Sequence, residues 1–356
     1  MKIQSLGASY LNVSGEIYGP EFINLAHIED DKIRFDDRTL FLSNEEKERL
    51  NRQPIKRYDD AVYVFNYSGR WGILANLPID EYKKGHVKSH ELVLPNVIQG
   101  MLSNLHGYNA EAAPVLLAHE KKIDFERIVA KGQYSASHLV GPVTLYVYQK
   151  DYANELLGIF QEIDELYIGD GHHRLYVSSL SEFKSNVFSC LISFADLNIL
   201  SINRRIGNIS NEKFSKSLDF LEQKFEVSET APYTLIPKGF VRMTYLNKSY
   251  LIKLIDLIGD SFWNNDIYRL NTQIISQAFR VFSDDRISYL SPQDTIEEKK
   301  HMNLNQVLLE TAPLEKDDFI NAAKSGTILP PKSTWMDPKF PSFLVMSIYQ
   351  FGDVHE

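Results

Sequence analysis

The chain has 356 residues, of which 44% are hydrophobic and 24% are charged, so a fibrous or largely disordered protein is excluded. The 47 Asp and Glu residues outnumber the 38 Lys and Arg residues, and the net charge of −9 argues against a protein that mainly binds a nucleic-acid backbone. The single cysteine, Cys190, cannot form an internal disulfide, and no signal peptide or long apolar run is visible. We therefore expect a cytoplasmic protein with neither nucleic acid nor membrane among its partners, and leave its oligomeric state open.

Residues 1–80 predict a strand-rich region. The polar run Asn44–Asn51 is typical of a helix. Two apolar runs, Ala61–Tyr67 and Trp71–Leu77, predict strands joined in a hairpin at Ser68-Gly69-Arg70.

Residues 81–206 predict a core of mixed α/β character, because strand and helix patterns alternate. An amphipathic helix is expected over Val97–Leu105, with Asn96 as its cap and Gly107 at its end. The other expected elements are strands at Pro114–Leu117, Pro142–Gln149, Leu166–Ile168 and Val187–Phe194, and helices at Tyr152–Gln161 and Leu175–Phe183.

Residues 207–356 predict a C-terminal α+β unit. We expect helices at Asn211–Phe225, Leu270–Phe282 and Lys316–Lys324, and strands at Phe240–Leu246 and Tyr250–Leu257. The segment Leu329–Leu344 carries four prolines, so it cannot form a regular helix. It is either a rigid strap or part of a site.

The strongest local signal is the turn Asp170-Gly171-His172-His173-Arg174 between an expected strand and an expected helix. A helix N-terminus presents unpaired N–H groups that suit an anion, and Gly171 permits close backbone approach. Asp170 can cap the helix or hold Mg²⁺, and His173 and Arg174 add donors for phosphate oxygens. In the alternative interpretation, Asp170 is only an N-cap and the histidines are surface residues.

This turn resembles the motif of the DUF1015 family, which implies a ParB/sulfiredoxin-like core related to the free serine kinases. Two further segments agree with that family in the expected order. They are Tyr82-Lys-Lys-Gly85-His-Val-Lys-Ser-His90-Glu91 and Leu329-Pro330-Pro331-Lys332-Ser333-Thr334, the latter continued by Pro338-Lys339-x-Pro341-Ser342. The resemblance covers about residues 60–350.

The resemblance implies a kinase that phosphorylates a small free amino acid, L-serine first, using ATP or ADP and Mg²⁺. Glu91 is then the general base, Asp170 and His173 complete the catalytic set, and Asp170 also holds the metal. The residues expected to bind the nucleotide phosphates are Gly171, His172, His173 and Arg174. The residues expected to bind the substrate are His90, Arg204, Lys332, Ser333, Thr334 and Lys339.

Other functions stay open beside this one. Glu91 can be a solvated loop carboxylate, and the chain can be a non-catalytic nucleotide-binding switch of the ParB type without DNA binding. Sulfiredoxin chemistry is excluded, because His172 stands where that enzyme has its catalytic cysteine. Three departures from the family pattern, at Ser201-Ile202-Asn203, at Asn271 and in the first 60 residues, leave the exact acceptor undetermined.

Overall fold

The computed structural model describes residues 1–259, 263–302 and 305–349. Their contacts divide the chain into two compact units. The first comprises Met1–Asn198 and the segment that starts at Pro338, and the second comprises Ile199–Asp337. The three-region division at residues 80 and 206 stays a prediction, with one of its boundaries close to the junction of these units. Across the described ranges, no helix is long and apolar enough to cross a membrane.

In chain order the strands are β1 Leu6–Asn12, β2 Leu25–Ala26, β3 Ile28–Glu29, β4 Lys32–Ile33, β5 Ile55–Tyr67, β6 Arg70–Pro78, β7 Val87–Lys88, β8 Ala110–Glu111, β9 Val115–His119, β10 Ala136–Val140, β11 Val143–Gln149, β12 Leu166–Asp170, β13 Asn186–Ser193, β14 Asn198–Leu200, β15 Asn203–Ile206, β16 Val227–Thr230, β17 Phe240–Tyr245, β18 Lys248–Lys253, β19 Ile287–Leu290, β20 Val307–Thr311, β21 Trp335–Asp337 and β22 Val345–Ile348. The longest strands, β5 with 13 residues and β6 with 9, form one hairpin.

The helices are α1 Asn44–Asn51, α2 Ile79–Lys83, α3 Pro95–Gly107, α4 Phe125–Ala130, α5 Lys150–Gly158, α6 His172–Leu180, α7 Asn211–Lys224, α8 Asp266–Arg269, α9 Pro292–Lys300 and α10 Lys316–Ser325. The described residues also form two short 3₁₀ turns, at Ile159–Glu162 and Asp284–Arg286, and a π-helix at Leu270–Ala278. The mixed α/β (α+β) fold class expected from the sequence is confirmed.

A mixed sheet of twelve strands, counted over the described residues, forms the first unit. Its main path runs β2-β8-β22-β1-β5-β6-β13-β9-β12-β7, and β11 joins β5 to β10. Strand β13 is antiparallel to β6 and parallel to β9, whereas β9 and β12 are antiparallel. The N-terminal strand β1 and the C-terminal strand β22 pair with each other. Both ends of the chain therefore help to build the sheet that carries β12 and α6.

Local chemistry explains most of the expected elements. The hairpin of β5 and β6 turns at Ser68 and Gly69, both at positive φ, with Tyr67 opposite Arg70. Helix α1 begins with a capping box between Ser43 and Glu46. The expected cap at Asn96 is wrong: α3 begins two residues earlier than expected, after Leu94, with Pro95 in the first turn, where its missing N–H costs nothing.

The second unit has its own six-stranded sheet among the described residues, in the order β16-β18-β17-β20-β15-β19. Its hydrophobic core combines strand residues such as Val241 and Leu309 with Leu221 of α7 and Ile274 of the π-helix. Where the sequence predicted a helix over Leu270–Phe282, the structure has a π-helix that begins at Leu270 and ends at Ala278. Helix α9, which follows a capping box between Ser291 and Asp294, was not expected from the sequence.

Candidate active site at the junction of β12 and α6

The junction between β12 and α6 is a single left-handed residue. Gly171 has φ +90° and ψ 27°, and α6 begins immediately after it at His172. A Cβ atom at this position would lie 3.0 Å from an Arg174 guanidinium nitrogen. Because glycine lacks Cβ and tolerates positive φ, it satisfies both demands of the turn.

Asp170 does not cap the helix, since Gly171 occupies the N-cap position and no side chain of the described residues caps it. The Asp170 carboxylate instead accepts from Arg174 Nη2 at 2.7 Å and from Lys339 Nζ at 2.8 Å. Burial by itself raises the pKa of this carboxyl, but Arg174 and Lys339 outweigh it and leave the pKa below its ordinary value. Asp170 is therefore ionised and pairs with two cations of the site, Arg174 and Lys339.

Arg174 ties the turn to the chain that enters β9. Its Nη1 donates to the carbonyl oxygens of Ala113 at 2.8 Å and Pro114 at 3.1 Å. Its side chain is 16% exposed and keeps the ion pair with Asp170 one helical turn away. The guanidinium is thus held at the start of α6 from two sides, as its forked set of donors allows. Its expected contact with phosphate stays a prediction.

The two histidines of the motif contact different residues: His172 packs against His90, and His173 binds the backbone of Leu94. His172 is buried, its Nε2 has no hydrogen-bond partner among the described residues, and burial lowers its pKa to about 4. Its ring meets the His90 ring edge to face, with centroids 4.5 Å apart. Burial and the neighbouring His172 also hold the pKa of His90 well below its ordinary value. Both rings are therefore neutral near pH 7.

His173 connects the turn to the segment that contains Glu91. Its Nε2 accepts a hydrogen bond from the backbone N–H of Leu94 at 2.9 Å. Glu91 itself is half-buried between β7 and α3, and its carbonyl oxygen accepts from Ser89 Oγ at 3.0 Å. The expected phosphate role of His173 and the expected base role of Glu91 stay predictions. The proximity of their segments is an observed fact.

Lys339 reaches the site from the C-terminal segment, and Glu21 lies on its other side. The Lys339 ammonium is 3.0 Å from Glu21 Oε1 and 2.8 Å from Asp170 Oδ1. Sequence reasoning expected Lys339 to bind substrate but missed Glu21. No local pattern around Glu21 signals a partner 318 positions away. The pairing of β1 with β22 and the hydrogen bond from Ser342 Oγ to the Gly19 carbonyl bring the two segments together.

Apart from His90 and Lys339, which belong to the first unit, the expected substrate residues lie in the second unit. Arg204 is 1% exposed, and its guanidinium donates to the carbonyl oxygens of Ile202 at 2.7 Å and Lys332 at 3.1 Å. Ser333 is buried and donates to Pro330 O, whereas the Lys332 side chain is exposed and Thr334 is half-buried. Arg204 thus supports the backbone of the proline-rich segment. The expected substrate contacts of these residues stay predictions.

Magnesium does not fit Asp170 as the structure arranges it. Each carboxylate oxygen already faces a cationic nitrogen, from Arg174 on one side and Lys339 on the other. Within the described ranges, no group of three or more His, Cys, Asp or Glu side chains is placed to hold a metal ion. We therefore derive no step through a metal at Asp170.

The comparisons with known proteins identify one family. The model described as protein of unknown function (DUF1015) matches residues 55–265, more than half of the chain. No curated protein matches the sequence at a significant level.

Several solved structures are similar at low identity. A mutant free serine kinase in complex with ADP is 15% identical, with 75% of this chain and 88% of that chain covered and a TM-score of 0.42. SbnI with a C-terminal truncation from Staphylococcus aureus is 13% identical, with 76% and 85% covered and a TM-score of 0.43. A conserved hypothetical protein from Pyrococcus furiosus is 15% identical, with 76% and 93% covered and a TM-score of 0.40. At this similarity no residue role is transferred from them.

Proposed function

This chain belongs to the DUF1015 family, and from that premise we propose that it is a small-molecule kinase. It binds ATP or ADP with the phosphates at the Asp170–Arg174 turn and phosphorylates the hydroxyl group of a small free amino acid, L-serine first. The observation that carries the proposal is the meeting of two motif segments that are distant in sequence. His173 Nε2 accepts from Leu94 N, and the His172 and His90 rings are in contact, so the segment with Glu91 lies against the turn.

The phosphate side of the site is supported by the start of α6. A helix N-terminus offers N–H groups that lack intrahelical partners, together with a partial positive charge. At this N-terminus no side chain of the described residues caps those groups, and Gly171 adds no side chain that would block the approach to them. Arg174 and Lys339 add two positive charges within hydrogen-bond distance of Asp170. This combination suits a phosphate chain.

The transfer step needs little covalent chemistry from the protein. The acceptor hydroxyl oxygen attacks the terminal phosphorus of the nucleotide, the bond from that phosphorus to the bridging oxygen breaks, and the nucleotide leaves one phosphate shorter. Glu91 takes the hydroxyl proton, a contribution worth about 10²–10⁴-fold in rate. Positioning and charge neutralisation by Arg174 and Lys339 supply the rest.

The test incubates the purified chain with ATP or ADP and a panel of free amino acids that includes L-serine, and follows products by ³¹P NMR. We expect a new phosphomonoester signal with a hydroxy amino acid. Glu91→Gln should reduce its rate at least about a hundredfold and leave nucleotide affinity nearly unchanged. The matched control is Glu126→Gln, an exposed glutamate on α4, which should behave as the wild type.

The outcomes separate the candidate functions. Full activity in Glu91→Gln would make the base assignment wrong. Nucleotide binding without any phosphorylated product would favour the alternative, a non-catalytic nucleotide-binding switch. Neither binding nor product would contradict the proposed function as a whole.

A further inference from the structure

Lys339 lies between two carboxylates of the candidate site. Its ammonium lies 2.8 Å from Asp170 Oδ1 and 3.0 Å from Glu21 Oε1, and its side chain is only 13% exposed. It therefore bridges two carboxylates, one from β12 and one from the N-terminal segment, as a metal ion bridges oxygen ligands.

The second oxygen of Asp170 is also neutralised, because Arg174 Nη2 lies 2.7 Å from Oδ2. Asp170 thus has a cation at each oxygen. A Mg²⁺ ion bound to either oxygen would have to share that oxygen with a cationic nitrogen, and the positive charges of Arg174 and Lys339 would repel it. Mg²⁺ also gives up its water shell reluctantly and prefers sites in which carboxylates are available. The arrangement opposes a metal ion at Asp170.

We propose that Lys339 supplies at Asp170 the positive charge that Mg²⁺ would otherwise bring, so that the chain binds nucleotide phosphates without a divalent cation. This inference rests on the proposed function, since it concerns the same phosphate site. It assigns Lys339 to the phosphate chain of the nucleotide and assigns Asp170 to holding Lys339 and Arg174 in place.

Glu21 shows how a phosphate can reach this ammonium. The Glu21 side chain is 66% exposed, whereas that of Asp170 is 26% exposed. The Glu21 carboxylate loses little hydration in this ion pair, so another anion can take its place beside Lys339. A phosphate oxygen can therefore replace the Glu21 carboxylate on Lys339 while the contact with Asp170 stays intact.

The experiment measures ADP affinity by isothermal titration calorimetry in two buffers, one with EDTA and one with excess Mg²⁺, and repeats both titrations with pyrophosphate. We expect the wild-type ADP dissociation constants in the two buffers to agree within about threefold. An affinity at least tenfold weaker in EDTA would overturn the inference and leave the proposed function standing. No binding of ADP or pyrophosphate in either buffer would overturn both.

Variants of Lys339 sharpen the test. Lys339→Met should weaken ADP binding in EDTA at least tenfold and recover part of the loss in Mg²⁺, because Asp170 then has a carboxylate oxygen open to the metal. Lys339→Arg keeps the charge and should bind ADP in EDTA within about fivefold of the wild type. The control Lys216→Met removes an exposed, ion-paired lysine on α7 and should change nothing. Wild-type affinity of Lys339→Met in EDTA would contradict the role of Lys339.

Discussion

The Lys339 ammonium and the Asp170 carboxylate lie 2.8 Å apart, although 169 positions separate them in the sequence. The contact joins the C-terminal segment to the end of β12, at the turn that presents Gly171 and Arg174. Strand β22 follows Lys339 closely and pairs with β1, which fixes the course of this segment. The charge of the candidate site is therefore set by the fold of the first unit as well as by the local motif.

Asp170→Asn tests how much the ion pairs of Asp170 with Arg174 and Lys339 stabilise the fold. The change leaves Arg174 and Lys339, each less than one-fifth exposed, without their shared anion. Removing one partner of a fully buried pair costs about 3–5 kcal/mol, so we expect about 2–3 kcal/mol here, measured by urea unfolding. Asp80→Asn, an exposed aspartate in α2, is the control and should change the free energy of unfolding by less than about 0.5 kcal/mol. Equal free energies of unfolding for the two variants would show that the ion pairs of Asp170 do not stabilise the fold.

Gly171→Ala tests the left-handed turn. The added methyl group would be strained at φ +90° and would lie 3.0 Å from the Arg174 guanidinium. Gly132→Ala is a matched control, because Gly132 has φ +70° and a Cβ added there would have no heavy atom of the described residues within 4 Å. We expect a loss of about 1 kcal/mol for Gly132→Ala from backbone strain alone and a larger loss for Gly171→Ala, both measured by urea unfolding. Equal losses of unfolding free energy would show that the Arg174 side chain moves away from the added methyl group without an energetic cost.

The buried ring of His172 predicts a pH dependence of stability. Burial lowers its pKa from the ordinary 6.5 to about 4, so the unfolded chain binds this proton more tightly than the folded chain. The stability tied to a neutral His172 is complete above pH 6.5 and is lost as the pH falls from 6.5 to about 4. In urea unfolding, the wild type should lose more stability than His172→Gln over this range, by on the order of 3 kcal/mol. Parallel pH profiles would contradict the neutral buried ring.

Arg174→Ala tests the phosphate role of the turn. We expect ADP affinity to fall at least about tenfold, since a guanidinium that contacts phosphate is worth about 1.5–3 kcal/mol as a charged hydrogen bond. Because Arg174 also ties the turn to Ala113 and Pro114, Arg174→Lys is the companion variant. It keeps the charge, and it should retain more ADP affinity than Arg174→Ala in titration calorimetry. Unchanged affinity in Arg174→Ala would place the phosphates elsewhere.

The sequence predicted what local chemistry decides. The helix Asn44–Asn51, the hairpin around Ser68 and Gly69, and the turn at Gly171 follow from capping residues, alternation and glycine, and all three occur in the structure. The start of α3 was predicted less well, because Leu94 rather than Asn96 precedes its first turn. Proline at the first helical position outweighed the preference of asparagine for a cap.

The sequence did not predict what depends on long-range pairing. The ion pair of Glu21 with Lys339 joins residues 318 positions apart, and no local pattern in the sequence predicts such a contact. The expected substrate role of Arg204 stays a prediction, and no local pattern predicted its nearly complete burial or its hydrogen bond to the Lys332 carbonyl, 128 positions away. A motif indicates which residue types are present, whereas the partners of each charge follow only from the tertiary structure.

A crystal structure of the chain with ADP tests the central claim most directly. We predict phosphate oxygens within hydrogen-bond distance of backbone N–H groups at the start of α6, and within the same distance of Arg174 or Lys339. The Glu91 side chain should face the terminal phosphate. ADP bound with its phosphates away from the Asp170–Arg174 turn would contradict the proposed site.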